Sequence, residues 1–399
     1  MQQYRIKTLV AGVVWLLAIT GCAGPESVPS EDRRSAPLVL APGVFDAEQP
    51  DTLGLSFASG RQTFTVYRPG PEDYRYNHGA VVMSFQGRLY AQWQSSRRDE
   101  DAPETEIRYA ISPDQGASWS RPKTLALPRK DATITNGGWW VSGDQLVAYI
   151  NVWPHDAEPR GGFVEYVSSA DGEHWSEPRR VMTRAGKPLN GILEQDLRAL
   201  PGGRILTTVH EQPGLIATPW FTDDPSGVSG WQRGELPNLA HEPDITRELE
   251  PSWYRRGDGR IVMTFRDQQS SFRILAAESR DRGASWTQPV ITNFPDSRAK
   301  QSAGNLPDGS AFIVNNPSGN KTRIPLTIAV SKEGQRFDRA WLVRAGGADL
   351  QPWRYEGKYK RAGYSYPKSY VDEEFVYVAY ATNKEDIEIT RIPIGSLAP

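Results

Sequence analysis

The chain has 399 residues, with 46 basic and 48 acidic side chains. Its net charge of −2 and lack of any basic run exclude a nucleic-acid-binding surface of the usual kind. One cysteine excludes an intrachain disulfide, and the five histidines show no metal-ligand spacing. The 36 glycines, 31 prolines, 13 tryptophans and 16 tyrosines suit many short strands joined by tight turns.

The first elements are not part of a fold. Arg5 and Lys7 precede an apolar run over residues 8–20 that is too short for a comfortable membrane span. The run ends in I-T-G before Cys22, the sole cysteine, as a bacterial secretory signal ends in a lipobox. We therefore expect residues 1–22 to be a lipoprotein signal. Cys22 would be the acylated mature N-terminus, anchoring an exported protein in the cell envelope, at the outer membrane or cell surface. Residues 23–36, rich in proline, serine and charge, read as a disordered tether, and residues 37–399 as one folded domain.

Extended candidates at 53–57 and 63–67 come next, and then a pattern repeats. In the first repeat, strands at 80–85 and 88–93 flank the turn Gln86-Gly87, and a strand at 106–111 follows. The second has strands at 138–141, 145–150 and 163–167. The third has them at 197–200 and 204–209, around Pro201-Gly202-Gly203. The fourth runs 252–254 and 260–265 around a G-D-G turn. The fifth has P-D-G at 307–309, then strands at 311–314 and 326–330. The sixth has strands at 369–371, 375–380 and 387–392. No long helical period occurs.

A short motif punctuates this order. SPDQGASW at 112–119 returns as SADGEHW at 169–175 and as SRDRGASW at 279–286, with worn copies TDDPSGVSGW at 222–231 and SKEGQRF at 331–337. The acidic positions Asp114, Asp171, Asp224, Asp281 and Glu333 are 57, 53, 57 and 52 residues apart. Such a period marks a repeat architecture. Asp and Gly make a turn between strands, the carboxylate accepting from local N–H groups, and the Trp covers the hairpin. The motif is turn-making and packing chemistry, not catalysis. One four-stranded unit cannot bury both faces alone, but units arranged radially can. We predict an all-β chain, a six-bladed β-propeller. The sixth repeat lacks its last strand, which a strand from residues 37–68 would supply; a seventh blade from that segment is the alternative.

The Asp-box pattern resembles the sialidase superfamily of β-propellers. The resemblance implies a site where first strands begin and second strands end, on the face opposite the boxes. Asp101, in the acidic loop S-S-R-R-D-E-D at 95–101 and 18 residues before Trp119, matches the family's acid/base aspartate, with Asp99 as its alternative. Glu250 in L-E-P-S and Arg266 in T-F-R-D match a glutamate at a strand start and an arginine at the next strand's end. Arg323, after N-N-P-S-G-N-K-T, matches a second substrate-binding arginine, and Tyr364 in A-G-Y-S-Y-P the catalytic tyrosine. The pattern breaks in the first blade. Where the family opens with R-I-P, this chain has Y-N-H-G-A at 76–80, so Asn77 or His78 replaces an arginine, with Arg75 nearby. His210 is a weaker candidate on the same rim.

The resemblance implies an exo-acting glycoside hydrolase that cleaves a terminal acidic, sialic acid-like sugar from a glycan. Arg266 and Arg323 would fork onto its carboxylate. Tyr364 would be the nucleophile, Glu250 its base and Asp101 the acid, with no cofactor. One alternative is a polysaccharide lyase or uronate-directed glycosidase that uses His78 with Tyr364. Another is a non-catalytic glycan-binding surface lipoprotein, with Trp139 and Trp140 stacking on sugars, although both fit blade packing better.

Overall fold

A computed structural model describes residues 36–397 apart from His241 and Pro243. Cys22, the signal and most of the expected tether lie outside the described residues. Six antiparallel sheets account for nearly all the regular structure; the only helices among the described residues are two 3₁₀ turns, Gly347–Asp349 and Ile394–Leu397.

Each sheet is one blade of a six-bladed propeller, numbered here in chain order. Blade 1 runs outward through Tyr76–Phe85, Arg88–Ser96, Glu106–Ser112 and Lys123–Ala126. Blade 4 is Glu248–Arg255, Ile261–Asp267, Arg273–Ser279 and Val290–Pro295. Blade 5 begins at Ser302–Asn305, and its outermost strand is Arg339–Arg344. Blade 6 has Tyr364–Val371, Phe375–Thr382 and Asp386–Pro393. Its fourth strand is Gln62–Tyr67, paired antiparallel with Gln62 opposite Arg391. The two ends of the folded domain thus share one sheet and close the ring, and the described residues form no seventh blade.

Packing follows from this ring. Among the described residues there are six buried apolar clusters, and each joins neighbouring blades. Tyr90, Tyr109 and Trp139 link blades 1 and 2, for example, while Trp93, Ala379 and Ile389 link blade 6 back to blade 1. The boxes behave as their sequence requires. Asp114 accepts from Ser118 N at 2.8 Å and Ser112 Oγ at 2.9 Å, and the Trp119 indole donates to Gly116 O at 2.9 Å. The blade 4 box repeats these bonds through Asp281, Ser285 and Trp286. Trp286, 6% exposed, also packs into the cluster holding Leu206 and Phe221 of blade 3. Trp286→Ala should therefore cost about 3–5 kcal/mol through the cavity it leaves between two blades. A denaturant titration would show this as a lower midpoint at unchanged slope. An unmoved midpoint would mean the boxes do not tie blades together.

The innermost strands depart from ideal pairing where they line the axis. Register shifts occur between His78 and Val81 in blade 1, Asn136 and Gly138 in blade 2, Leu249 and Ser252 in blade 4, and Ser365 and Lys368 in blade 6. In blade 3 the strand expected at 197–200 is interrupted, giving Gly191–Leu193 and Arg198–Ala199 on the same partner. A bulge re-aims a side chain that a regular strand would direct along the sheet. His78, Glu194, Glu250 and Tyr366, each at or beside such a break, line one axial hollow.

Candidate active site

The hollow has a volume of about 210 Å³, and Asp101, His78, Glu194, His210, Glu250, Lys300 and Tyr366 all face it. At its floor the Tyr366 hydroxyl lies 2.5 Å from Glu250 Oε1 and accepts from Arg266 Nη1 at 3.0 Å. The same Nη1 donates to Glu250 Oε2 at 2.8 Å, and Arg266 Nη2 donates to Gln268 Oε1 at 2.8 Å. The arginine therefore fixes both the carboxylate and the phenol.

Glu250 and Tyr366 reach this contact by the same backbone device. Each precedes a proline inside a first strand, Pro251 and Pro367, and each has a positive φ, +51° and +56°. A proline in a strand forces a bulge, and a non-glycine residue at positive φ is costly enough to need support from its surroundings. For Glu250 part of that support is His210. Its Nε2 accepts from Glu250 N at 3.3 Å, so Nδ1 carries the proton and donates to Glu194 Oε1 at 2.9 Å. Lys300 pairs with the other Glu194 oxygen at 2.8 Å.

Electrostatics keep the partners in defined protonation states. Burial raises the Glu250 carboxyl, but the positive charges of Arg266 and Lys300 and the Tyr366 hydrogen bond outweigh it, so its pKa falls below the usual carboxylate range. Burial and the Glu250 charge push the Tyr366 phenol well above its ordinary value, against the pull of Arg266 and Arg323. The pair is thus a carboxylate facing a neutral phenol. His78 is held neutral by burial and by Lys384, Arg323 and Lys300. Its ring centre lies 4.2 Å from that of Tyr366, and neither ring nitrogen has a partner.

Arg323, 6% exposed, donates to Ser365 Oγ at 2.8 Å, and its guanidinium carbon lies 5.1 Å from the Tyr366 ring centre. The Gly363 backbone brings it there. Tyr364 N donates to Arg323 O at 2.9 Å, and a Cβ on Gly363 would lie 2.4 Å from that oxygen at a φ of +103°. Neither arginine lines the hollow itself; the Arg266–Arg323 pair lines a second, smaller cavity of about 40 Å³, completed by Ser297, Arg298, Lys321 and Arg361.

Three sequence-based assignments need correction. Tyr364 is fully buried away from Glu250, and its hydroxyl donates to Ala345 O at 2.8 Å under Arg344. Tyr366, two residues on, takes the place expected for it. Asn77 is spent on structure: Nδ2 donates to Tyr74 O and Glu385 O, and Oδ1 accepts from Trp93 and Ser95. Arg75 packs over Tyr355 at 5.5 Å and donates toward Arg97 O at 3.4 Å, outside both cavities. Asp101, at φ +61°, lines the hollow and pairs with Arg160 at 2.8 Å. Asp99 does not line it, and its Oδ1 accepts from Lys358 N at 2.5 Å. Trp139 and Trp140 serve packing, their indoles donating to Val81 O and Pro225 O. Among the described residues no group of three or more His, Cys, Asp or Glu is arranged to hold a metal ion.

Tyr364→Phe separates the two tyrosines. It should leave Ala345 O short of a bond and cost about 1–3 kcal/mol of stability, with the hollow intact. A large loss of turnover in a folded Tyr364→Phe protein would reinstate Tyr364 at the site.

A six-bladed propeller with Asp-boxes and a tyrosine, glutamate and arginine on its axis is a sialidase-like BNR propeller. The chain belongs to the BNR repeat-like domain family, whose model matches residues 87–378. No curated protein matches it in sequence. Among solved structures, a sialidase is 21% identical over 90% of this chain, with a TM-score of 0.65; this chain spans 35% of that one. The Hadza microbial sialidase Hz136 is 16% identical over 84% of this chain and 69% of its own, with a TM-score of 0.65. The Trypanosoma rangeli sialidase in complex with sialic acid is 15% identical over 86% of this chain and 60% of its own, with a TM-score of 0.58. At these identities the likeness is one of fold.

Proposed function

We propose that the chain is an exo-acting glycoside hydrolase that removes a terminal acidic sugar, sialic acid-like, from a glycan. The observation that carries this reading is the Tyr366 hydroxyl held between Glu250 and Arg266. A phenol is a weak nucleophile at neutral pH, and a carboxylate at 2.5 Å is placed to take its proton as it attacks. Tyr366 Oη would bond to the anomeric carbon as the glycosidic C–O bond breaks, and Asp101 would protonate the departing oxygen. Water, deprotonated by Asp101, would then displace Tyr366, which recovers its proton from Glu250. A neutral nucleophile suits an anomeric carbon that already bears a carboxylate, and Arg266 and Arg323 offer that carboxylate two planar forks. The test is release of sugar from aryl glycosides of sialic, keto- and uronic acids by the full chain; no release from any of them would reject the reading.

His78 supports a second reading. A neutral, unpartnered imidazole beside Tyr366 is also the equipment of a uronate-directed lyase or glycosidase. A lyase leaves an unsaturated uronate, so ultraviolet absorbance that grows on an anionic polysaccharide would select this reading.

We also propose that Cys22 is acylated and tethers the propeller to the cell envelope. Cys22→Ser should move the protein from the detergent phase to the aqueous phase on partition. An unchanged partition would remove the anchor.

A further inference from the structure

The small cavity lined by Arg266 and Arg323 has a composition that one carboxylate does not explain. Five cationic side chains line it and no carboxylate does: Arg266, Arg298, Lys321, Arg323 and Arg361, with Ser297 as the sixth residue. Of the five, only Arg266 is in ion-pair contact with an acid among the described residues, Glu250 at 2.8 Å. Asp296 lies next in the chain but does not line the cavity; it accepts from Asn315 Nδ2 at 3.2 Å and Ala299 N at 3.3 Å, and its charge acts on Arg266. Three buried donors at the cavity, Arg266 Nε, Ser297 Oγ and Arg298 Nε, have no acceptor. Ser297 is 2% exposed, and Arg298 is held at a φ of +55° in the connection from blade 4 to blade 5. Burial, Arg266 and Arg361 depress the Arg298 guanidinium, and the opposing charges of Asp267 and Glu250 do not offset them.

A carboxylate offers two oxygens and one negative charge. Seated between Arg266, Arg323 and Arg298 it would fill a cavity of about 40 Å³ and satisfy the buried donors. Lys321 and Arg361 are exposed at the mouth and would still lack a counter-charge. We propose that they extend the clamp into a polyanion site, so that the ligand is a sugar acid with a second anionic group beside the clamped carboxylate. The second group is another carboxylate, a sulfate ester or a phosphate ester. The inference rests on the proposed glycosidase reading for the sugar and the clamp, but it is tested by binding rather than turnover.

The probes are acetate, malonate and sulfate, titrated calorimetrically into the full chain at fixed pH and ionic strength. Malonate and sulfate should bind at least about tenfold more tightly than acetate. Arg298→Met should weaken all three. The double variant Lys321→Met, Arg361→Met changes only exposed side chains, so folding is not at risk. It should abolish the dianion advantage and leave acetate within about twofold. Dianions no tighter than acetate, or an advantage that survives the double variant, would overturn the proposal. If charge selectivity holds while Tyr366→Phe keeps full turnover, the glycosidase reading alone fails. If selectivity is absent while that variant is inactive, the polyanion inference alone fails.

Discussion

Tyr366→Phe should lower kcat on an acidic-sugar aryl glycoside by roughly 10³-fold or more, equivalent to about 4 kcal/mol of transition-state stabilisation. The substitution removes one oxygen. The ring stays against His78 and Arg323, so KM should change little. The bond from the hydroxyl to Glu250 is lost, but Arg266 still neutralises that carboxylate at 2.8 Å, so the fold should hold. The pattern to look for is therefore a collapse of kcat at nearly constant KM and midpoint of unfolding. A Tyr366→Phe protein within tenfold of the parent would mean that the phenol forms no bond to the sugar. The Tyr364→Phe protein is the matched control, because it loses a hydroxyl from the same strand two residues away, with the opposite expected split between stability and rate.

That the nucleophile candidate is Tyr366 and not Tyr364 shows where the sequence stops being legible. The blades were readable because the Asp-box is local chemistry: Asp114 bonds N–H groups within four residues, and this recurs wherever the turn recurs. Glu250, Arg266 and Arg323 were readable because their local sequences, L-E-P-S, T-F-R-D and N-N-P-S-G-N-K-T-R, resemble the sialidase pattern. Tyr364 and Tyr366 share one parity on one strand, so alternation cannot separate them. The bulge does, and the bulge was written in the chain as a proline. Leu249-Glu250-Pro251 and Ser365-Tyr366-Pro367 are the same device on two blades, and pairing them would have pointed to Tyr366. Asn77 and His78 illustrate the opposite parity: neighbours on a strand face opposite ways, so His78 turns to the axis and Asn77 to the seam with blade 6. Arg298 left no signal of this kind. It lies in a connection without a motif, at a positive φ that an arginine does not advertise.

Asp101→Ala should lower kcat/KM, which reports cleavage of the glycosidic bond, in proportion to how poor the leaving group is. A general acid contributes roughly 10²–10⁴-fold when the departing oxygen needs a proton, and little when it leaves as a stable anion. On a natural glycan linkage the variant should fall by about that range, whereas on a nitrophenyl glycoside the first step should be nearly unaffected. Asp101 is the better candidate for this proton than its neighbour. The Glu100 carboxylate is paired with the buried Lys384 at 2.6 Å, while Asp101 pairs with the exposed Arg160 at 2.8 Å. An exposed guanidinium can swing away as substrate enters, freeing the carboxyl at the mouth of the hollow. Glu100→Gln supplies the comparison, since it should show no dependence on leaving group. If Asp101→Ala loses the same factor in kcat/KM on both substrates, the side chain positions the loop and the proton comes from another group. If Glu100→Gln alone shows the leaving-group dependence, the acid is Glu100, and Lys384 must release it before bond cleavage.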